Sequence, residues 1–210
     1  RTNAELANLI AKTLAYAAPA GQSMLMAADD GFARSSNNFL ATLPAGWSIT
    51  TAYLDDTPAA TARQTIITTL NNGVRLTNFL GHSGPVSWTY DGLFSAADAS
   101  ALTNTIPTVV TQWGCWNTYH VDPAYNTLAH AFLLNPGGGA AAVLGASTLT
   151  QASSDAALGL RVLPQIVVPG QSLGWGVQVA KANLALFQPN LADVLLGWTL
   201  LGDPALVVQP

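Results

Sequence analysis

Residues 75–85 read RLTNFLGHSGP, and residues 108–117 read TVVTQWGCWN. Each stretch is a short apolar run that closes on a glycine and then delivers a chemically distinctive residue. Neither run alternates cleanly between apolar and polar positions, as expected for parallel strands covered on both faces. The two are separated by the length of one strand–helix–strand crossover, about thirty residues. Ser95, with Asp98 three residues later, marks the start of the intervening helix. Further strand-like runs lie at Met24–Ala28, Ser48–Leu54, Ala140–Ala146 and Ala205–Val208. Helix-period segments fall between and around them, at Ala4–Tyr16, Phe32–Leu43, Ala59–Leu70, Ala96–Leu102, Tyr125–Leu134, Asp155–Gln165, Leu173–Phe187 and Ala192–Leu200. This alternation predicts an α/β fold, a mostly parallel six-stranded sheet with helices on both faces, in one domain over residues 1–210.

The composition narrows the partners. Of 210 residues, 50% are apolar and 9% charged, where an average soluble protein carries roughly 25% charge. Such a chain is too hydrophobic for intrinsic disorder. Seven basic against eleven acidic residues leave no basic stripe to neutralise phosphates, so nucleic acid is not an expected partner. The two most apolar stretches, Leu191–Val208 and Leu128–Leu149, are interrupted by Asp193, Asp203 and Pro204 and by Asn135 and Pro136, so no membrane span is expected. One cysteine excludes an intramolecular disulfide. Neutral Thr, Asn, Ser and Gln replace the missing charges, a surface met more often in exported proteins. The chain begins at Arg1 without an initiator methionine or leader, and is expected to be a processed or excised part of something longer.

In open parallel sheets, chemistry gathers where loops leave the carboxyl ends of the strands. Two such ends carry His82 and Cys115. If their strands are neighbours, about 4.8 Å apart, both side chains emerge at one edge. A thiolate is a nucleophile, and a nearby imidazole can shuttle its proton. Gly81 and Gly114 allow close backbone approach to a substrate, and the Ser83 and Cys115 amides face a developing oxyanion. A lone cysteine is ordinarily a small buried hydrophobe; the joint placement of both residues sets this pair apart. Gly81-His82-Ser83-Gly84 is not a serine nucleophile elbow, since Pro85 stands where the last glycine belongs. Cys115, His120, Asp122 and His130 do not match a structural zinc pattern. The Asp29-Asp30 and Asp55-Asp56 pairs are each short of calcium ligands. No metal or cofactor is required; structural calcium remains possible but unsupported.

Four stretches resemble one family. FLGHSGPVSW (Phe79–Trp88) is similar to the catalytic-histidine segment of gingipain-type cysteine peptidases, a bacterial branch of the caspase-like clan. Residues 106–133, IPTVVTQWGCWNTYHVDPAYNTLAHAFL, resemble their nucleophile segment. GGGAAAVLGASTLTQ (Gly137–Gln151) resembles the next strand and pocket loop, and WTLLGDPALVV (Trp198–Val208) the closing motif. The resemblance implies a three-layer caspase-like fold, and a secreted or cell-surface cysteine endopeptidase acting on protein or peptide substrates. It implies a catalytic subdomain whose parent chain carries additional domains. By position it makes Cys115 the nucleophile, His82 the catalytic histidine and Asp29 its orienting acid, with Asp30 the close competitor. Ser83 and Cys115 would form the oxyanion hole. Gly81, Trp113, Gly114, Thr148 and Gln151 become pocket candidates; Trp88, Trp113 and Trp116, as tryptophans beside strand ends, either line and support the cleft or belong to the core. The family's usual Gly-His-Gly-Ser is here Gly-His-Ser-Gly. The acid that pairs a substrate cation in arginine-selective relatives has no counterpart after Gly31; Asp91, Asp122 and Asp155 are open substitutes. A transpeptidase resolving the same thioester with an amine, and a silent binding module on the same fold, are the alternatives.

Overall fold

Both quoted runs are wholly buried strands, and they lie side by side. The computed structural model describes residues 2–17, 21–122 and 124–209. In chain order the first elements are α1 (Asn3–Ala17), β1 (Ser23–Ala28), α2 (Ala33–Leu40), β2 (Ser48–Tyr53), α3 (Ala59–Asn71) and β3 (Leu76–Leu80). A small ribbon follows, made of β4 (Ser83–Gly84), β5 (Ser87–Trp88) and β6 (Phe94–Ser95), then α4 (Ala96–Ser100) and β7 (Thr108–Trp113). The chain continues through α5 (Leu128–Leu134), β8 (Ala140–Ala146), α6 (Ala152–Ile166), α7 (Leu173–Phe187), α8 (Ala192–Gly197) and β9 (Trp198–Gly202). The main sheet has six strands in the order β2-β1-β3-β7-β8-β9. All neighbours are parallel except β8 and β9.

The absence of alternation in the sequence has a direct cause. Met24, Met26 and Ala28 of β1 enter one core, shared with Trp113, Leu144, Leu158 and Val162. Leu25 and Ala27 enter the other, with Ile66, Leu70, Phe79 and Phe132. Successive side chains point to opposite faces, and both faces are dry. Helices α2, α6, α7 and α8 contribute to the first core, and α3, α4 and α5 to the second. The capping box predicted at Ser95 is present: Ser95 Oγ accepts from Asp98 N, and Asp98 accepts from Ser95 N. The end of α5 is closed from α1, where the buried Lys12 ammonium donates to the carbonyls of Phe132, Leu133, Asn135 and Gly138. The first three are carbonyls that a helix terminus leaves without partners; the fourth belongs to the loop that follows.

The sixth strand is not the expected one. Ala205–Val208 is not a strand of the sheet, and the helix expected over Ala192–Leu200 stops at Gly197. Trp198–Gly202 takes the sheet edge, antiparallel to β8. Two contacts explain the exchange. Ser147 donates to the Gly197 carbonyl through both its N–H and its hydroxyl, and the Trp198 ring stacks on Trp113 at 5.6 Å. Further on, the Val208 and Val207 carbonyls are taken by Arg75, from Nε at 2.8 Å and from Nη2 at 3.0 Å. The segment expected over Tyr125–Leu134 becomes helical at Leu128, where its N–H meets the Pro85 carbonyl at 2.7 Å. Among the described residues, no helix is long and apolar enough to cross a membrane.

Arg75 is 2% exposed. It stacks on the Tyr16 ring at 3.7 Å, donates to the Tyr16 carbonyl and fixes the C-terminal segment. Arg75→Met keeps much of the volume but strands buried carbonyls, each at a cost of about 1–3 kcal/mol. Its urea-unfolding free energy should fall by at least about 3 kcal/mol.

Candidate active site

The register of three adjacent strands sets the site. Ala28 of β1 pairs with Leu80 of β3, and Leu80 pairs with Trp113 of β7. The next residues are therefore Asp29, Gly81 and Gly114, followed within one position by His82 and Cys115. The close passage of these loops leaves no room for side chains at the glycines. A Cβ on Gly81, which has φ +153°, would lie 2.2 Å from Asp29 Cβ. One on Gly114 would lie 2.3 Å from the Gly81 carbonyl oxygen and 2.5 Å from Ser83 Oγ.

Asp29 and His82 meet. The buried Asp29 carboxylate accepts the His82 backbone N–H at 3.0 Å, and the same oxygen lies 2.8 Å from His82 Nδ1. The remaining Asp29 oxygen accepts from Asp30 N at 3.0 Å, so of the two acids Asp29 is the one on the imidazole. Phe32 meets the His82 ring edge-on at 5.3 Å, while the His82 side chain remains 62% exposed. His82 and Cys115 share no hydrogen bond. Cys115 Sγ sits instead against Thr150, 3.4 Å from its N–H, 3.4 Å from its carbonyl and 3.6 Å from its hydroxyl.

Ser83 holds the two strand ends together. Its hydroxyl donates to the Cys115 carbonyl at 2.8 Å. It accepts from Asn117 Nδ2 at 3.0 Å, which also donates to the Gly114 carbonyl. Asn117 Oδ1 accepts from Ala146 N at the end of β8, so this buried amide braces three consecutive strand ends. Ser83 does not have positive φ; among the described non-glycine residues only Thr89 and Trp116 do. The exchange of glycine for serine after the histidine therefore costs no backbone strain. Trp116, at φ +60°, pays for its position with a left-handed turn that carries its N–H to the Thr148 carbonyl.

The pocket candidates divide. Trp113 is fully buried; its indole donates to Asn78 Oδ1 at 2.8 Å, and its ring packs on Trp198 and Phe39. It belongs to the core and does not line the cleft. Trp88 is likewise core, stacked on Phe79 and bonded to Gln112. Gly81 and Gly114 supply close-packed backbone, and Thr148 packs beneath the loop against Gly197. Gln151 lines a cavity of about 440 Å³ with Leu149, Thr150, Leu191 and Asp193. Of the three candidate acids, Asp91 borders a different cavity with Asp30, and Asp122 accepts from Ala124 N in an exposed loop. Asp155 alone is joined to the thiol's surroundings. It is 2% exposed and accepts from Thr150 Oγ1 at 3.1 Å, and its other oxygen has no hydrogen-bond partner. Burial pushes its carboxyl up to about 7; the Thr150 hydrogen bond opposes this and the nearby Asp193 charge adds to it.

No cluster of three or more His, Cys, Asp or Glu among the described residues is placed to hold a metal ion. Asp55 accepts from Gly31 N and Ala33 N at the start of α2, so it and Asp29 both serve backbone amides. Asn117, Thr150 and the Ser83 hydroxyl escaped the sequence reading. Asn117 lies inside the quoted run, but two of the groups it braces, Ala146 and Ser83, are 29 and 34 residues away, and neutral side chains announce no chemistry.

Comparison with known proteins now adds to this geometry. The sequence matches the profile of peptidase family C25 over residues 1–209. The chain belongs to that family. Among solved structures, the Arg-specific cysteine proteinase gingipain R superposes with a TM-score of 0.82 at 18% identity, covering 99% of this chain and 53% of that one. The complex of the Porphyromonas gingivalis RgpB pro- and mature domains gives 0.81 at 17%, covering 99% and 54%. The Saccharomyces cerevisiae separase–securin complex gives 0.62 at 14%, covering 94% and 13%. Among curated protein sequences none is significantly similar. The C25 chain described here thus spans about half the length of the gingipain chains it matches, and at these identities the likeness is one of fold.

The glycine spacing makes a graded prediction for this C25 domain. Gly114→Ala must displace backbone and should lower the unfolding free energy by about 1–3 kcal/mol. Gly84→Ala, whose Cβ would meet nothing within 4 Å, should change it by no more than about 1 kcal/mol. Equal losses in urea titrations of the two variants would contradict the close approach at the strand ends.

Proposed function

We propose that this domain cleaves peptide bonds through a thioester on Cys115. The observation that carries the reading is the Asp29–His82 pair on the strand ends beside the one that delivers Cys115. The cycle starts from the Cys115 thiolate with His82 protonated: Sγ attacks the scissile carbonyl carbon, the C–N bond breaks, and His82 gives its proton to the departing amine. Water then adds to the thioester, His82 takes one of its protons, and the acid leaves as the thiolate is restored. Asp29 holds Nδ1 and thereby turns Nε2 outward, toward the exposed side where a substrate lies. Because His82 and Cys115 share no hydrogen bond, the imidazole acts on the amine and not as a permanent partner of the thiolate.

The amides of Ser83 and Cys115 are the proposed oxyanion hole. Thr89 N donates to the His82 carbonyl in the β4–β5 ladder. By the alternation of antiparallel pairs, the Ser83–Trp88 pair is then the one that exchanges no backbone bonds. That aims the Ser83 N–H away from the ribbon. The cavity bordered by Thr150 and Gln151 receives a substrate side chain. Asp193 in its wall favours a basic side chain over an acidic one, so a peptide library should show depletion of Asp and Glu beside the cleaved bond. A secreted or surface location in a bacterium fits the neutral, hydrogen-bonding composition.

A peptidyl acyloxymethyl ketone should label Cys115, as read by intact mass. Labelling should vanish in Cys115→Ala, and in His82→Ala the turnover of a peptide amide should fall by about 10²–10⁴-fold. Absence of labelling at every pH between about 5 and 8, the range in which an imidazole titrates, would leave the fold as a binding module.

A further inference from the structure

One hydroxyl lies between two ionisable groups. Thr150 Oγ1 is 3.1 Å from Asp155 Oδ2 and 3.6 Å from Cys115 Sγ. A hydroxyl has one proton to donate, so it serves the carboxylate or the sulfur at any moment. We propose that Asp155 is a positioning residue that acts on Cys115 through Thr150, releasing the Thr150 hydroxyl to the thiolate when protonated and withdrawing it when ionised. This rests on Cys115 being the nucleophile.

The proton inventory closes. Neutral Asp155 donates its O–H to Thr150 Oγ1, and the Thr150 O–H turns to the thiolate, which also accepts the Thr150 N–H at 3.4 Å. Ionised Asp155 takes the Thr150 O–H for itself. The sulfur keeps the amide alone and now faces a second negative charge. The surroundings give the switch its range. Asp155 is on α6, against which α7, α2, α8 and β7 pack. Asp193 of α8 is the charge that acts on it and favours the neutral form. Lys181 of α7 donates to the Leu195 and Trp198 carbonyls, and Arg161 of α6 to Asn183 and the Ala157 carbonyl. No ion pair joins Arg34 of α2 to Asp155, and β7 carries no ionisable side chain. In the neutral state the proton sits on Oδ2, 3.1 Å from Thr150 Oγ1, while Oδ1, buried without a partner, offers nothing that favours the charged form. Since Asp155 titrates near 7, the exchange falls within the working range of a thiol nucleophile.

The test reads the thiol with iodoacetamide and uses no peptide, so it is independent of whether the domain cleaves one. The wild-type alkylation rate should depart from a single ionisation curve, with a second inflection near pH 7, above which the rate falls short of the curve set by the acid limb. Asp155→Asn, whose amide donates to Thr150 Oγ1 at every pH, should remove that inflection and raise the rate at pH 7.5 by about tenfold, the scale of one hydrogen bond to a charged group. Thr150→Val should also remove the inflection, and in that background Asp155→Asn should add little. Should Asp155→Asn not fold, the wild-type and Thr150→Val profiles decide alone. A wild-type profile following one ionisation, or an Asp155→Asn gain that survives undiminished in Thr150→Val, would overturn the proposal. A domain that cleaves peptides yet shows the single-ionisation profile refutes the switch and leaves the nucleophile in place.

Discussion

The approach of the β3 and β7 strand ends is the constraint on which the site depends. Two parallel strands normally diverge into separate loops, each with its own side chains. Here the Gly81 N–H bonds to the Trp113 carbonyl at 3.0 Å, one step beyond the end of the ladder. The missing Cβ atoms at Gly81 and Gly114 let the pairing continue to the brink of His82 and Cys115. Asp29 follows from the same contact, since its side chain fills the space beside Gly81 and can reach the imidazole of the next residue. The geometry of three functional groups is thus inherited from backbone register, which is stiff, and not from rotamers, which are soft.

Beneath that edge the sheet carries an unusual amount of neutral polarity. Asn78 accepts from Thr111 Oγ1 at 2.6 Å and from the Trp113 indole at 2.8 Å on one face. Gln112 accepts from Trp88 and donates to the Asn117 carbonyl and Thr118 on the other. Buried polar groups are costly when unpaired and specific when paired. These chains therefore fix which strand lies beside which, while the apolar contacts supply most of the driving force. They also connect the Trp88 core to Asn117, the amide that braces Ser83 and Gly114.

Much of this was legible in the sequence, and the failures have physical causes. The positions of the central strands along the chain, the crossover between His82 and Cys115 and the Ser95 cap all rest on local signals such as apolar runs, glycine ends and a Ser–Asp spacing of three. The edge strand was misplaced because Ala205–Val208 is the more apolar run and Trp198–Leu200 continues a helix-period segment, whereas the contacts that decide come from Ser147, Trp113 and Arg75, each 50 or more residues earlier in the chain. Nothing local to Val207 and Val208 reveals that their carbonyls are occupied. For Trp113 the sequence leaves cleft and core open, since it adjoins Gly114; strand alternation turns its ring into the core beside Phe39. The Thr150–Asp155 connection is short in sequence. Its meaning depends on burial and on a sulfur 35 residues away, neither of which spacing discloses.

The scarcity of charge acquires a local consequence. Across the described residues two ion pairs are present, Arg63–Asp98 and Asp29–His82. In a more highly charged protein, a buried acid such as Asp155 would ordinarily have a basic partner, and its carboxylate would be fixed as the anion well below neutrality. Here Lys181 and Arg161 are engaged by carbonyls and an amide, and the remaining influence is the repulsion from Asp193. A chain built largely from neutral hydrogen-bonding groups thus leaves Asp155 without a basic partner, whereas Arg63 helps hold the buried Asp98 below the usual carboxylate range, and Asp155 is the acid pushed up to about 7. The same scarcity of charge is what gives the proposed switch its means, one proton on one carboxyl beside the surroundings of Cys115.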